Sequence, residues 1–306
     1  MTKALVFGSL NIDYVYDVPH ILRPGETLAS TNRTIYPGGK GLNQSIALAK
    51  AGVETYHAGC IGDGGELLRE MLQESGVNTR FVRTVDGPSG HTIIQRETSG
   101  QNNIMLYGGS NQVISKEQIA ETLAHFSSGD YLLLQNEINL IPSIITMAAE
   151  AGMVIVLNPS PIDEALLTYP LELVDIFLLN EIEAADIVGS ELPPEDLIRA
   201  LSLKFPEAKI VLTLGEAGAL YLDRKDGKVL EHGIFDVDVV DTTAAGDTFT
   251  GYFIATLIET NDPHEALRVA SLGSALAVSR PGAAPSIPTK EEVSSTNLRL
   301  KEKRAH

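Results

Sequence analysis

At 306 residues, 43% hydrophobic and 21% charged, the chain has ordinary globular composition, long enough for one large domain or a domain with a small appendage, and disorder is excluded. A net charge of −17 and a pI near 4.8 exclude nucleic acid and anionic membrane surfaces as partners, because both select a basic footprint. The single cysteine, Cys60, forms no intramolecular disulfide, the start "ALVFGSLNIDYVYDV" lacks the basic region of a secretory signal, and no apolar run approaches the roughly 18 to 20 residues of a membrane span. These features point to a soluble, cytoplasmic protein.

In chain order, "KALVFGS", "TYHAGCIG", "YLLLQ", "MVIVLNP", "IFLLN", "KIVLTLG" and "GALYLD" read as strands. Helical patterns fall between them, at about 41–51, 66–75 and 141–151. Strands apolar on both faces and separated by helices imply an α/β fold with a central, mostly parallel sheet flanked by helices. Two stretches, about 14–37 and 80–108, alternate polar and apolar residues without a helical period. They predict a small antiparallel sheet inserted as a lid into a single domain spanning 1–306. Residues 248–279 return to a helical pattern, and the basic end "NLRLKEKRAH" reads as a polar terminus without function.

Three segments carry chemistry. In "DTTAAGDTFTG" (residues 241–251), Ala244, Ala245 and Gly246 are small enough for backbone N–H groups to converge on an anion at a helix N-terminus. Asp247 then stands where it can accept a proton from an attacking hydroxyl, or can serve simply as the helix N-cap. Asp241 lies outside that turn, placed for an ion or for loop structure. In "YPGGKGLNQSIALAKAG" (residues 36–52), Gly38, Gly39 and Gly41 permit a close backbone approach before a helix whose first turns carry Lys40 and Asn43. This segment is not a P-loop, since Gly41 rather than Ser or Thr follows the lysine and Thr34 stands where the leading glycine belongs. In "GSLNIDYV", Asn11 and Asp13 point the same way at the end of the first strand, either gripping two hydroxyls of a polyol or making a local turn. His91, alone on a strand, reads as a surface or satisfied residue.

Together these segments resemble the ribokinase family, also called the PfkB family of carbohydrate kinases, from "GSLNID" to "RPGAAPSIP". The resemblance implies an ATP-dependent sugar kinase, with Asp247 as base and Ala244, Ala245 and Gly246 as anion hole. It implies sugar contacts from Asn11, Asp13, Gly39, Lys40, Asn43, Glu137 and Asp247. For the nucleotide it implies Asn180, Glu183, Thr213, Gly215, Gly218, Gly246 and Ser271, with Glu183 reaching magnesium through water. A monovalent cation, usually potassium, would take Asp241, Thr243, Ala277, Arg280, Gly282 and Ser286. The forms "GGKGLNQ" and "GSLNID", with Glu137, are those of the ribokinase branch, implying ribose to ribose 5-phosphate. The polar lid strand "GHTIIQRE" keeps another pentose, a hexose or a nucleoside open. The family also implies a homodimer formed through the lid.

The rivals are weaker. A dinucleotide oxidoreductase wants G-x-G-x-x-G where this chain has "FGSLNID", and a metalloenzyme of the H-E-x-x-H type lacks its motif. A non-catalytic binding protein needs no base, and Asp247 argues against it.

Overall fold

The computed structural model describes residues 2–97 and 101–301. The chain opens with β1 (Lys3–Phe7), β2 (Asn11–Val18), β3 (Asn32–Gly38) and α1 (Lys40–Lys50). It continues through β4 (Glu54–Asp63), α2 (Glu66–Glu74), β5 (Asn78–Pro88), β6 (Gly90–Glu97) and β7 (Asn102–Tyr107). The middle holds α3 (Lys116–Leu123), β8 (Tyr131–Gln135), α4 (Ile141–Glu150), β9 (Val154–Asn158), β10 (Ile176–Asn180), α5 (Glu181–Val188) and α6 (Pro194–Lys204). Last come β11 (Lys209–Thr213), β12 (Ala219–Asp223), β13 (Val229–His232), α7 (Ala245–Thr260), α8 (Pro263–Val278) and α9 (Lys290–Ser295).

Nine strands form one sheet in the order β13-β12-β11-β10-β9-β8-β1-β4-β5. It is parallel from β11 to β5, and only the pairings β11–β12 and β12–β13 are antiparallel. Successive residues of a strand face opposite sides, so each apolar run feeds two cores. Val6, Leu133, Val156, Leu178 and Val211 pack with α1, α2, α7 and α8 on one face. Phe7, Leu134, Leu157, Leu179 and Leu212 pack with α3 to α6 on the other. Each such aliphatic side chain contributes roughly 1.5–3 kcal/mol on burial.

The small sheet runs β3-β2-β6-β7. Its outer pairs are antiparallel, but the central pair β2–β6 is parallel, unlike the wholly antiparallel lid the alternation predicts. Residues 80–88 also leave the predicted lid, because β5 pairs with β4 at the edge of the large sheet. Residues 98–100 of that stretch, and 302–306 of the basic terminus, lie outside the described residues.

The helical pattern at 248–279 resolves into two helices. Asn261, in the left-handed region at φ 52°, ends α7. Asp262 then caps α8 by accepting the N–H groups of His264 and Glu265, with Pro263 in the first turn. Among the described residues, no helix is long and apolar enough to cross a membrane.

Candidate active site

The strand order turns at β1, which lies between β8 and β4 although the chain runs from β1 toward β4 by way of the small sheet. At such a switch point the carboxyl ends of neighbouring strands splay apart and leave a crevice. Here it is walled by Ser9 beyond β1, Glu137 beyond β8, and the start of α1.

Gly39, at φ 97°, turns the chain from β3 into α1. Gly38 and Gly41 are also required by packing. A side chain at Gly38 would collide with the Asp13 carboxylate at 2.0 Å, and one at Gly41 with the Ser9 backbone at 2.4 Å. Ser9 ties the segments together: its hydroxyl makes a short hydrogen bond to Glu137 Oε2 and accepts the Gly41 N–H over 3.2 Å. Glu137 Oε2 also accepts the Lys40 N–H at 3.2 Å.

Asn11 is buried, its Oδ1 held by the Asn111 amide at 2.7 Å, and Asp13 accepts the Thr92 hydroxyl at 2.6 Å. Both open β2 rather than lying in a turn, which removes the local-turn alternative. His91 is satisfied as expected, donating from Nδ1 to the Ser89 carbonyl at 3.0 Å and contacting the Tyr14 and Tyr107 rings.

Asp247 lies in the first turn of α7, where Ala244 rather than Asp247 is the N-cap. Its carboxylate accepts from side chains: Asn43 Nδ2 donates to Oδ2 at 3.0 Å and Gln44 Nε2 to Oδ1 at 2.9 Å. The capping alternative therefore falls. Ala244 itself adopts φ 60°, a strained conformation for a residue with a side chain, and it opens α7 beside the crevice, where the Ala245 N–H is donated to the Thr242 carbonyl at 3.2 Å. A side chain at Gly246 would meet open space, the room an anion needs beside these amides.

Charge concentrates here. Burial pulls the Lys40 ammonium down, but the carboxylates of Asp247, Glu137 and Glu183 outweigh it and hold it above its usual range. Burial pushes Glu137 above the ordinary carboxylate range, partly offset by Ser9 and Lys40. Asp13 is raised by burial too, partly offset by the Thr92 hydroxyl.

Two adjoining cavities share Ala245, Gly246, Thr213 and Thr242. One, of about 240 Å³, is polar and lined by Lys40, Asn158, Asn180, Glu183, Ala244 and Asp247. The other, of about 320 Å³, is mostly apolar, with Phe235, Val239, Phe249 and Ala275 in its walls beside Gly215, Gly218 and Ser271. Among the described residues, the buried Ser271 hydroxyl has no hydrogen-bond partner. Gly218 is required by the fold, since a side chain there would strike the His232 carbonyl at 2.1 Å.

Asn180 and Glu183 form a reciprocal capping box at the start of α5, with Glu183 accepting the Asn180 N–H at 3.0 Å and its side-chain amide at 2.9 Å. Asp241 joins two loops, accepting from the Thr243 N–H and hydroxyl on one oxygen and from the Gly282 N–H, at 3.0 Å, on the other. The Arg280 guanidinium is committed to Glu292 and the Ser286 hydroxyl to the Ala283 carbonyl, so Arg280 has only its main chain to offer an ion.

Sequence reasoning missed Ser9, Gln44, Asn111 and Asn158. Gln44 and Ser9 stood in segments already singled out, beside Asn43 and Asn11, whereas Asn111 and Asn158 carried no local signal. It also dismissed the basic end, yet Lys301 lines the apolar cavity and reaches Glu216 at 3.4 Å. The backbone around Lys301 pairs with Ile234 and Asp236.

A polar crevice carrying a positioned carboxylate and a helix N-terminus, joined to an apolar slot, is the layout of an enzyme that brings a hydroxyl compound to a nucleotide. Residues 1–290 match the pfkB family carbohydrate kinase model, and the chain belongs to that family. It is 36% identical to the ribokinase of Haemophilus influenzae over 95% of this chain and 97% of that one. It is 30% identical to a Salmonella typhi deoxyribokinase over 94% and 96%. The Arabidopsis thaliana ribokinase solved with ribose and ATP superimposes with a TM-score of 0.87 at 29% identity, over 96% and 98% of the two chains. The chain is thus a ribokinase-like sugar kinase.

Proposed function

We propose that this kinase transfers the γ-phosphoryl group of ATP to the 5-hydroxyl of ribose in the cytoplasm, where ATP is supplied. The observation that carries this reading is Asp247, a carboxylate turned toward the polar cavity by Asn43 and Gln44, beside the first amides of α7. Asn11, Asp13, Gly39, Lys40, Asn43 and Glu137 hold the sugar on the small sheet's side. The apolar cavity takes the base of ATP, with Thr213, Gly215, Gly218 and Ser271 around it. The small sheet is a lid on a single catalytic domain.

In the transfer, the sugar hydroxyl oxygen bonds to the γ-phosphorus, its proton passes to the Asp247 carboxylate, and the bond to the bridging oxygen of ADP breaks. The turn Ala244-Ala245-Gly246 is the anion hole, in which the amides of Ala244 and Gly246 meet the negative charge on the transferring group and the Ala245 N–H is held by the Thr242 carbonyl. Lys40 adds a fixed cation.

Glu183 fits a magnesium contact made through water, because both its oxygens already accept from Asn180. The loops joined by Asp241 offer an all-oxygen set from Asp241, Thr243 and the carbonyls near Ala277, Arg280, Gly282 and Ser286, chemistry that suits potassium. Bound there, the two ions supply positive charge beside the phosphates.

A coupled ADP-release assay over pentoses, 2-deoxyribose, hexoses and nucleosides tests the reading. Ribose is expected to give the highest kcat/KM, and Asp247→Asn to abolish turnover. Preference for another acceptor, or an active Asp247→Asn enzyme, refutes the corresponding part.

A further inference from the structure

We propose that Gln44 is a positioning residue for phosphoryl transfer, fixing one oxygen of Asp247 through a one-way chain of amides anchored in the large sheet. The inference rests on Asp247 being the base.

The direction of the chain follows from its anchor. The Leu178 carbonyl on β10 can only accept, so Asn158 on β9 turns its Nδ2 toward it, at 2.9 Å. Asn158 Oδ1 then faces Gln44, which must present Nε2, at 3.1 Å. The second N–H of that amide meets Asp247 Oδ1 at 2.9 Å. Gln44 Oε1, left on the far side, accepts Gln135 Nε2 from the end of β8 at 2.6 Å. Reversing any amide would set two acceptors or two donors face to face.

Gln44 is wholly buried, and both of its amide hydrogens and its oxygen are engaged. Asn43 differs, since among the described residues its buried Oδ1 has no hydrogen-bond partner. Asn43 therefore suits substrate contact, whereas Gln44 has only the base to serve. One turn along, the helices come close enough for this reach: a side chain at Gly251 of α7 would meet Ala47 of α1 at 2.3 Å. A carboxylate restrained by N–H donors keeps its aim, and small misplacement of a reacting group is costly. Lys40 from α1, Glu137 beyond β8 and Glu183 from α5 share this electrostatic environment.

The test compares Gln44→Met with Gln44→Glu in the full chain, using ATP and the sugar the wild type turns over best. Gln44→Met is expected to lower kcat by about 10- to 100-fold, with KM for sugar and ATP within about two-fold of wild type. Gln44→Glu, of similar size, sets a second carboxylate against Asp247, so the acidic limb of its kcat profile is expected to move to higher pH, and further than that of Gln44→Met, which only loses one donor. A folded Gln44→Met enzyme with wild-type kcat, a rise in KM at constant kcat, or an unmoved limb in Gln44→Glu overturns the inference. Should neither variant fold, Gln135→Met, which removes only the far donor, carries the test: a lower kcat at unchanged KM supports the chain, and an unchanged kcat overturns it. An active Asp247→Asn enzyme would sink the underlying reading. An inactive Asp247→Asn beside a fully active Gln44→Met would sink only this one.

Discussion

Thr92 of β6 donates its hydroxyl proton to Asp13 of β2 over 2.6 Å, across the parallel pair at the centre of the small sheet. The hydrogen bond occupies one oxygen of a carboxylate that burial already pushes toward its neutral form. Thr92→Val keeps the shape and removes the donor. A hydrogen bond to a charged group is worth about 1.5–3 kcal/mol, so KM for the sugar is expected to rise about ten-fold with kcat nearly constant. Steady-state kinetics at saturating ATP check this, and a selective change between ribose and 2-deoxyribose would assign Asp13 to the 2-hydroxyl.

Glu183 has two separable duties. Glu183→Gln retains an acceptor for the Asn180 N–H and keeps the cap, whereas Glu183→Ala removes it and is expected to cost about 1 kcal/mol of stability. Both variants lose the charge beside the polar cavity, so both are expected to show weakened magnesium dependence of turnover. Chemical denaturation and a magnesium titration separate the effects.

His57 is wholly buried, donating from Nε2 to the Gly8 carbonyl at 3.2 Å with Nδ1 2.7 Å from the Ser45 hydroxyl. Burial pulls the imidazole from 6.5 down to about 3. Because the folded value lies below the unfolded one, its stabilising contribution is complete above pH 6.5 and is lost as the pH falls toward 3, at about 1.4 kcal/mol per pH unit. Asp13 and Glu137, shifted upward, act in the opposite sense and cancel when variants are compared. Urea unfolding of His57→Gln between pH 6.5 and 4 is expected to show a flatter slope than wild type.

The outer strand β7 leaves Ile104, Met105, Leu106 and Tyr107 exposed, each with more than 40% of its surface in solvent. Such an apolar edge invites a partner strand or sheet, and a homodimer formed through the lid would cover it. Met105→Glu is expected to shift the chain from dimer to monomer in analytical ultracentrifugation. A wild-type chain that sediments as a monomer would refute the dimer.

Much of the fold was legible in the sequence because the strands of a doubly covered parallel sheet are apolar on both faces and cannot be mistaken for surface. "YLLLQ", "MVIVLNP" and "IFLLN" lie at the centre of the large sheet as β8, β9 and β10. The lid was legible only in outline. Alternation reveals an exposed face but not a strand's partner, so β5 was assigned to the wrong sheet and β2–β6 to the wrong direction. Local motifs brought Asn11, Lys40, Asn43 and Asp247 forward. The groups that support the site around them, Ser9 on Glu137, Asn111 on Asn11 and Asn158 on Gln44, come from separate strands and loops and meet only in the folded chain.

Lys40, Asn43 and Gln44 occupy one face of α1, and through them a single helix lines the polar crevice and holds Asp247 at once. The close contact of Ala47 with Gly251 locks that helix to α7. A substitution that moves α1 to suit a new sugar must also move the base. The lid strands carry no such double duty, so acceptor preference in this enzyme is free to diverge through β2, β6 and β7 while the transfer machinery stays fixed.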